Sequence, residues 1–351
     1  MPSAKYQEER IEDEIIPYKY SITSYGADYT IDGLVKRISN GDIYIPPFQR
    51  RFVWSLKQGS RFVESLLLGL PVPGIFLSKE YDTQKLLVID GQQRLRTLEN
   101  FYEGVWAPTR KVFALKGVQP QFEGMTYKKL KQEDRRRLDD SILHATIVKQ
   151  DEPSDDNSSV YYIFERLNTG GTLLTPQEIR SCIYHGEFND LLKELNENKT
   201  WRSIYGKIDE RMRDEELILR FFALYFNTDN YAKPMKEFLN KFMGGNRHLR
   251  ILSRENLTQI FLNTIKVIYE SIGEIAFKPE KRFVAAIFDS VMIGVARRLE
   301  RGKIDDYKKL HNAYQILLGH KGYTDAASTH TTDEKNVKNR IMLASNVFAD
   351  V

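Results

Sequence analysis

The chain has 351 residues, of which 41% are hydrophobic and 28% charged, a length and balance that exclude a wholly disordered chain and favour two domains over one core. The formal net charge of +4 permits contact with nucleic acid without requiring it. The single cysteine, Cys182, excludes an internal disulfide and points to a reducing cytoplasm, and no Cys/His grouping has the spacing of a structural zinc site.

Residues 1–23 read as a polar leader rich in acids, without the apolar centre of a signal peptide, and no apolar run reaches the length of a membrane span. The pattern then predicts a short helix over 30–39 and a strand over 42–46 that ends on two prolines, which cannot continue a ladder. Over 55–68 the apolar residues Leu56, Phe62, Val63, Leu66 and Leu67 recur on one helical face, and Gly69 stands where helices commonly stop. Strands are predicted over 74–78 and 85–90, the latter a continuous apolar run closed by Asp90-Gly91, followed by a helix over 93–102.

Further strands are expected at 112–115 and 144–148, with a helix over 160–167. The basic run Lys128 to Arg137 is interleaved with Glu133 and Asp134 and followed by Asp139 and Asp140, the signature of a solvated helix face more than of a DNA patch. From about Thr175 the pattern is almost entirely helical, with helices over 215–226, 256–272 and 282–299. The last is apolar nearly all round until its basic end, which predicts a central buried helix.

Three segments carry candidate chemistry. In Ile45 to Trp54 (IPPFQRRFVW) two prolines hold the chain extended before Gln49, Arg50 and Arg51 emerge between aromatic residues. The arginine forks suit phosphate, although the aromatic residues fit a core role equally well. In Asp90 to Leu98 (DGQQRLRTL) a buried strand ends and a helix begins, so backbone N–H groups and the positive end of the helix dipole make an anion site. There Gly91 allows close backbone approach, Arg94 adds charge, Asp90 can hold a metal or accept a proton, and Gln92 or Gln93 can orient a water. In Phe164 to Arg180 (FERLNTGGTLLTPQEIR) the second half reads as a helix start, with Thr175 as N-cap, Pro176 in the first turn and Glu178 closing a capping box. Its first half offers Arg166, Asn168 and Thr169 beside two glycines, a loop that suits either structure or a ligand.

Taken in order, these segments resemble the N-terminal domain of GmrSD-type restriction endonucleases, itself similar to the ParB/sulfiredoxin fold, and Arg213 to Phe221 (RDEELILRF) is similar to the helical region that succeeds this domain in the family. The resemblance implies an α+β chain with a ParB/sulfiredoxin-like nucleotide-binding domain over 24–185 and a mainly α-helical domain over 186–351. It implies that Gly91, Gln92, Gln93 and Arg94 hold phosphates, as the Gly-x-x-Arg turn does in ParB proteins. Pro47, Gln49 and Arg51 match a second ParB-like stretch, and Glu165, Arg166 and Asn168 a third. The expected catalytic group is Asp90, Gln93 and Arg94, and the expected nucleotide contacts are Gln49, Arg50, Arg51, Gly91, Gln92, Arg94, Arg166, Asn168 and Thr169.

Asp90 is also the expected ligand of magnesium, brought with a nucleoside triphosphate. The implied function is a nucleotide-binding, NTP-hydrolysing regulatory or sensor component of a DNA restriction or phage-defence system. The implied partners are the triphosphate and DNA, with a separate nuclease or effector chain and a second copy of this chain as further candidates, and no membrane. Two departures matter. The turn lacks the cysteine that sulfiredoxin chemistry requires, and the six histidines, His144, His185, His248, His311, His320 and His330, form no HNH-like nuclease motif, so a nuclease is expected on another chain or not at all. The alternatives are a DNA-recognition module, for modified DNA among others, that binds without hydrolysis, and, ranked last for want of clustered carboxylates, a nuclease acting through the ParB-like site.

Overall fold

The computed structural model describes residues 21–45, 52–80, 83–152, 158–167 and 174–351. The fold is α+β, and compact units divide between Leu173 and Leu174. The N-terminal unit contains, in order, β1 (Ser21–Thr30), α1 (Ile31–Ser39), β2 (Ile43–Tyr44), α2 (Leu56–Leu67), β3 (Ile75–Lys79), β4 (Leu86–Asp90), α3 (Gln92–Glu103), β5 (Val105–Trp106), β6 (Lys111–Val112), α4 (Gln132–Asp140), β7 (Ile142–Glu152) and α5 (Ser158–Leu167).

Its main sheet has the strand order β1-β7-β3-β4-β2. β1 and β7 are antiparallel, as are β3 and β4, whereas β3 with β7 and β2 with β4 are parallel. Alternation puts Leu143, Ala145 and Ile147 of β7, Ile75 and Leu77 of β3, and Leu86 and Val88 of β4 into one core with the apolar faces of α1, α2 and α3. α5 packs on β4 and β7. Leu87, Ile89 and Val148 and the α5 residues Val160, Tyr161 and Phe164 are buried as well, which is why β4 reads as an unbroken apolar run: both of its faces are covered.

The predicted helices over 30–39, 55–68 and 93–102 and the strands at 74–78 and 85–90 correspond to α1, α2, α3, β3 and β4. β1 is unanticipated, since Ser21–Thr30 (SITSYGADYT) lies on the sheet edge and only Ala27 and Tyr29 pack against the core. The strand expected over 112–115 is corrected. Only Lys111–Val112 pairs, with Val105–Trp106, and Phe113 and Leu115 are buried in a segment held by backbone hydrogen bonds from Phe113 to Gly104, from Leu115 to Met125 and from Gly124 to Leu115.

The helical unit runs through α6 (Pro176–Ile183), α7 (Glu187–Asn196), α8 (Lys199–Tyr205), α9 (Arg213–Asn227), α10 (Met235–Gly245), α11 (Arg254–Ser271), α12 (Ala285–Leu299), α13 (Tyr307–Gly319), α14 (Lys321–Ser328) and α15 (Glu334–Phe348). α12 is the central helix, buried from Ala286 to Ala296 and packed against α9, α11 and α15. α6 starts on the predicted capping box: Thr175 Oγ1 accepts from the Glu178 N–H at 3.2 Å, and the Glu178 carboxylate accepts from the Thr175 N–H at 2.6 Å. No helix among the described residues is long and apolar enough to cross a membrane.

Candidate functional site

The turn between β4 and α3 is built around Gly91. Its φ of 102° lies in the left-handed region, and a Cβ there would sit 2.3 Å from Ile75 Cγ2, so conformation and space both demand glycine. No side chain caps the start of α3. The first turn of a helix therefore meets a backbone without a side chain in the way, the arrangement that favours an anion.

Arg94 lies under this turn with its side chain 15% exposed. Its Nη2 donates to the Asp90 carboxylate at 2.7 Å and to the Gly74 carbonyl at 2.9 Å, which ties the end of β4 to the approach to β3. Nε is buried without an acceptor, and Nη1 makes no hydrogen bond to the described residues. Donors of a guanidinium left unmatched at low exposure are costly unless something else fills them. Asp90 is half exposed and keeps lone pairs outside the arginine contact.

Gln93 has a different position from the one its sequence context suggests. Its Oε1 accepts from the backbone N–H of Val53 at 3.0 Å and of Trp54 at 3.2 Å, clamping the end of the first motif to the start of α3. Trp54 then packs edge-on against Phe62, and Phe52 against Trp106, so these aromatic residues serve the core side of the motif. Gln93→Ala is expected to remove about 1 kcal/mol of stability and to accelerate amide exchange at Val53 and Trp54 ahead of the rest of the unit. Hydrogen-exchange mass spectrometry over 52–60 checks this, and unchanged protection there would contradict the clamp.

Gln92 is half-buried in the first turn of α3, and Arg166 is exposed in the last turn of α5. Gln49, Arg50, Arg51, Asn168 and Thr169, with Pro47, lie outside the described residues. The structure thus brings Asp90, Gly91 and Arg94 together and adds two partners that local sequence reading misses, the Gly74 carbonyl and Ile75. Only the strand pairing of β3 with β4 brings them there.

Among the described residues no three His, Cys, Asp or Glu side chains are grouped as metal ligands. His144 pairs with Asp28 at 2.6 Å with both side chains mostly exposed, and His185, His311 and His320 bond to nearby backbone. Cys182 is buried on α6, and burial pushes its thiol well above the usual range, which leaves it a poor nucleophile.

Residues 31–185 match the family described as GmrSD restriction endonuclease, N-terminal domain, a little under half of the chain. No curated protein matches the chain.

Proposed function

Residues 31–185 belong to the GmrSD restriction endonuclease N-terminal domain family, and on that premise we propose that this chain is a nucleotide-responsive regulatory or sensor component of a DNA restriction or phage-defence system. Its N-terminal unit, on this reading, has a ParB/sulfiredoxin-like fold and binds a nucleoside triphosphate at the turn between β4 and α3. One observation supports this above the rest: Arg94, held beside the left-handed Gly91, leaves Nε and Nη1 without acceptors among the described residues at the uncapped start of a helix. A phosphate oxygen would satisfy those donors and the first-turn backbone together.

Asp90 supplies one carboxylate, a donor set that fits a magnesium ion carried in by phosphates better than an ion caged by protein alone. Bound there, magnesium would neutralise charge on the phosphates. The chain's own part is electrostatic and positional. Arg94 faces the developing negative charge, Asp90 orients the ion or a water, Gln92 holds the attacking water, and Gln93 keeps the first motif in register with the turn. Arg50, Arg51, Gln49, Arg166, Asn168 and Thr169 complete the proposed nucleotide contacts.

Phosphate release from ATP, GTP, CTP and UTP with magnesium tests the hydrolytic part. Wild-type protein should release phosphate from at least one of them, and Arg94→Ala should lower that rate on the order of 100-fold. Release that persists undiminished in the variant would contradict the role given to Arg94. Absence of release from every triphosphate in wild type would remove hydrolysis from the reading.

A further inference from the structure

The hairpin of β5 and β6 has no part in the turn between β4 and α3, yet it is anchored on the core of the N-terminal unit. Its anchor is Trp106, buried at 4% exposure and packed edge-on against Phe52 and Phe113. A methyl group at Gly59 of α2 would lie 2.8 Å from the Trp106 ring, so the hairpin seats on α2 because that helix carries no side chain there. Its tip is closed by the Trp106 carbonyl, which accepts from the Thr109 N–H at 3.2 Å and from the Arg110 N–H at 2.9 Å. Arg110 itself takes a positive φ of 54°, the tight conformation of a fixed turn.

The hairpin exposes both basic and apolar side chains. Arg110 and Lys111 are exposed, and the facing pair Val105 and Val112 is 42% and 68% exposed. From Gly104 to Phe122 the sequence holds Arg110, Lys111 and Lys116 and no acid. The Lys116 N–H donates to Ser60 Oγ at 3.0 Å, which brings this segment back against α2, where Lys57 and Arg61 stand exposed one turn apart.

None of the five cations, Lys57, Arg61, Arg110, Lys111 and Lys116, forms an ion pair among the described residues. Two acids of the surrounding surface are otherwise engaged. Glu64 accepts from the Gln119 N–H at 2.6 Å, and Glu123 from Gly117 and Val118 at 2.8 and 3.1 Å. In the basic run leading into α4, Lys128, Lys129 and Lys131 are likewise exposed, but Arg135 and Arg137 are engaged. Arg135 bonds to the Lys128 carbonyl and lies over the Tyr127 ring, Arg137 faces Glu133, and acids are interspersed.

We propose that the hairpin Val105–Val112, with Lys116 and the exposed face of α2, is a docking surface for the backbone of duplex DNA. Exposed cations that form no ion pair among the described residues suit the negative charge of a duplex backbone, and the packing of Trp106 on Phe52 joins this surface to the end of the first motif. The choice of DNA as the polyanion rests on the proposed role in restriction, whereas the surface itself is independent of nucleotide binding.

The test uses the full chain and a fluorescent duplex of about 20 base pairs, with anisotropy measured across a salt series. The triple variant R110A/K111A/K116A is compared with K128A/K129A/K131A, which removes the same charge from the other basic segment. The proposal expects wild type to bind at low salt. It expects the hairpin variant to lose about tenfold or more in affinity, with a log-log salt slope shallower by about 2 to 3, and the control to stay close to wild type. Equal losses in both variants, no duplex binding by wild type at low salt, or tighter binding of single-stranded DNA or RNA of the same length would each overturn it. Thermal stability measured with and without magnesium nucleotides in the hairpin variant separates the two readings. A nucleotide response retained while duplex binding is lost supports the surface, and duplex binding by a wild type that answers to no nucleotide removes the nucleotide site while leaving the surface in place.

Discussion

Gly91→Ala is expected to cost roughly 3 kcal/mol or more in equilibrium urea unfolding and to abolish any response to nucleotides. Two effects add at this position. An alanine at φ 102° is strained whatever surrounds it, and its Cβ would lie 2.3 Å from Ile75 Cγ2 and 2.9 Å from Ile75 Cβ, atoms of a fully packed strand residue that cannot swing aside. The turn would have to open, and Arg94 would be drawn away from Asp90 and the Gly74 carbonyl. Measuring Gly91→Ala in an Ile75→Ala background offers a partial check, since truncating Ile75 removes the Cγ2 contact without relieving φ. Recovery of only part of the loss is the expected result. A loss below about 0.5 kcal/mol for Gly91→Ala alone would mean that the turn is not tightly specified.

The second large effect belongs to the helical unit. Asp289 of α12 is fully buried between two arginines: Arg220 of α9, whose Nη2 and Nε lie 2.6 and 3.2 Å from its two oxygens, and Arg340 of α15, whose Nη2 lies 3.2 Å from Oδ2. Arg340 also donates to the Thr331 carbonyl. Removing this carboxylate takes a charged partner from both guanidiniums in a low-dielectric centre, so Asp289→Ala should lose about 3 to 5 kcal/mol. The variant in which Arg220 and Arg340 become Met and Asp289 becomes Leu should recover most of that loss, because the penalty comes from buried charge that has lost this partner more than from the pair itself. Denaturant midpoints for the two variants check this. A wild-type midpoint for Asp289→Ala would show that water reaches the cluster and that it does not hold α9, α12 and α15 together.

Local pattern carried part of this structure and long-range pairing the rest. α2 and β4 were legible because burial imposes a period, one helical face in α2 and two covered strand faces in β4. α12 was legible as a helix apolar on every side because neighbours surround it. β1 was not, since a polar edge strand with Ala27 and Tyr29 as its core contacts has little alternation to display. Phe113 and Leu115 alternate like a strand but owe their burial to the core under the hairpin, without a ladder partner.

At the candidate site, the Asp90-Gly91 turn and Arg94 were legible because strand end, glycine and helix start are contiguous. The Gly74 carbonyl, Ile75 and the Val53 and Trp54 amides were not, because each reaches the turn across 15 or more residues through tertiary structure. Gln93 shows the consequence. Its context suggested a group that orients a water, and the structure shows its oxygen accepting two backbone bonds of the first motif.

The central claim is that the turn between β4 and α3 binds nucleotide phosphates. It is tested most directly by thermal unfolding of wild type and Arg94→Ala with magnesium and each of ATP, GTP, CTP, UTP and their deoxy forms. A ligand that binds only the folded protein stabilises it by about 2.7 kcal/mol at a hundredfold excess over Kd, a shift well within detection. The account predicts a rise for wild type with at least one nucleotide and none for Arg94→Ala, which should still unfold cooperatively without ligand. No rise with any nucleotide in wild type, or an equal rise in the variant, would contradict it.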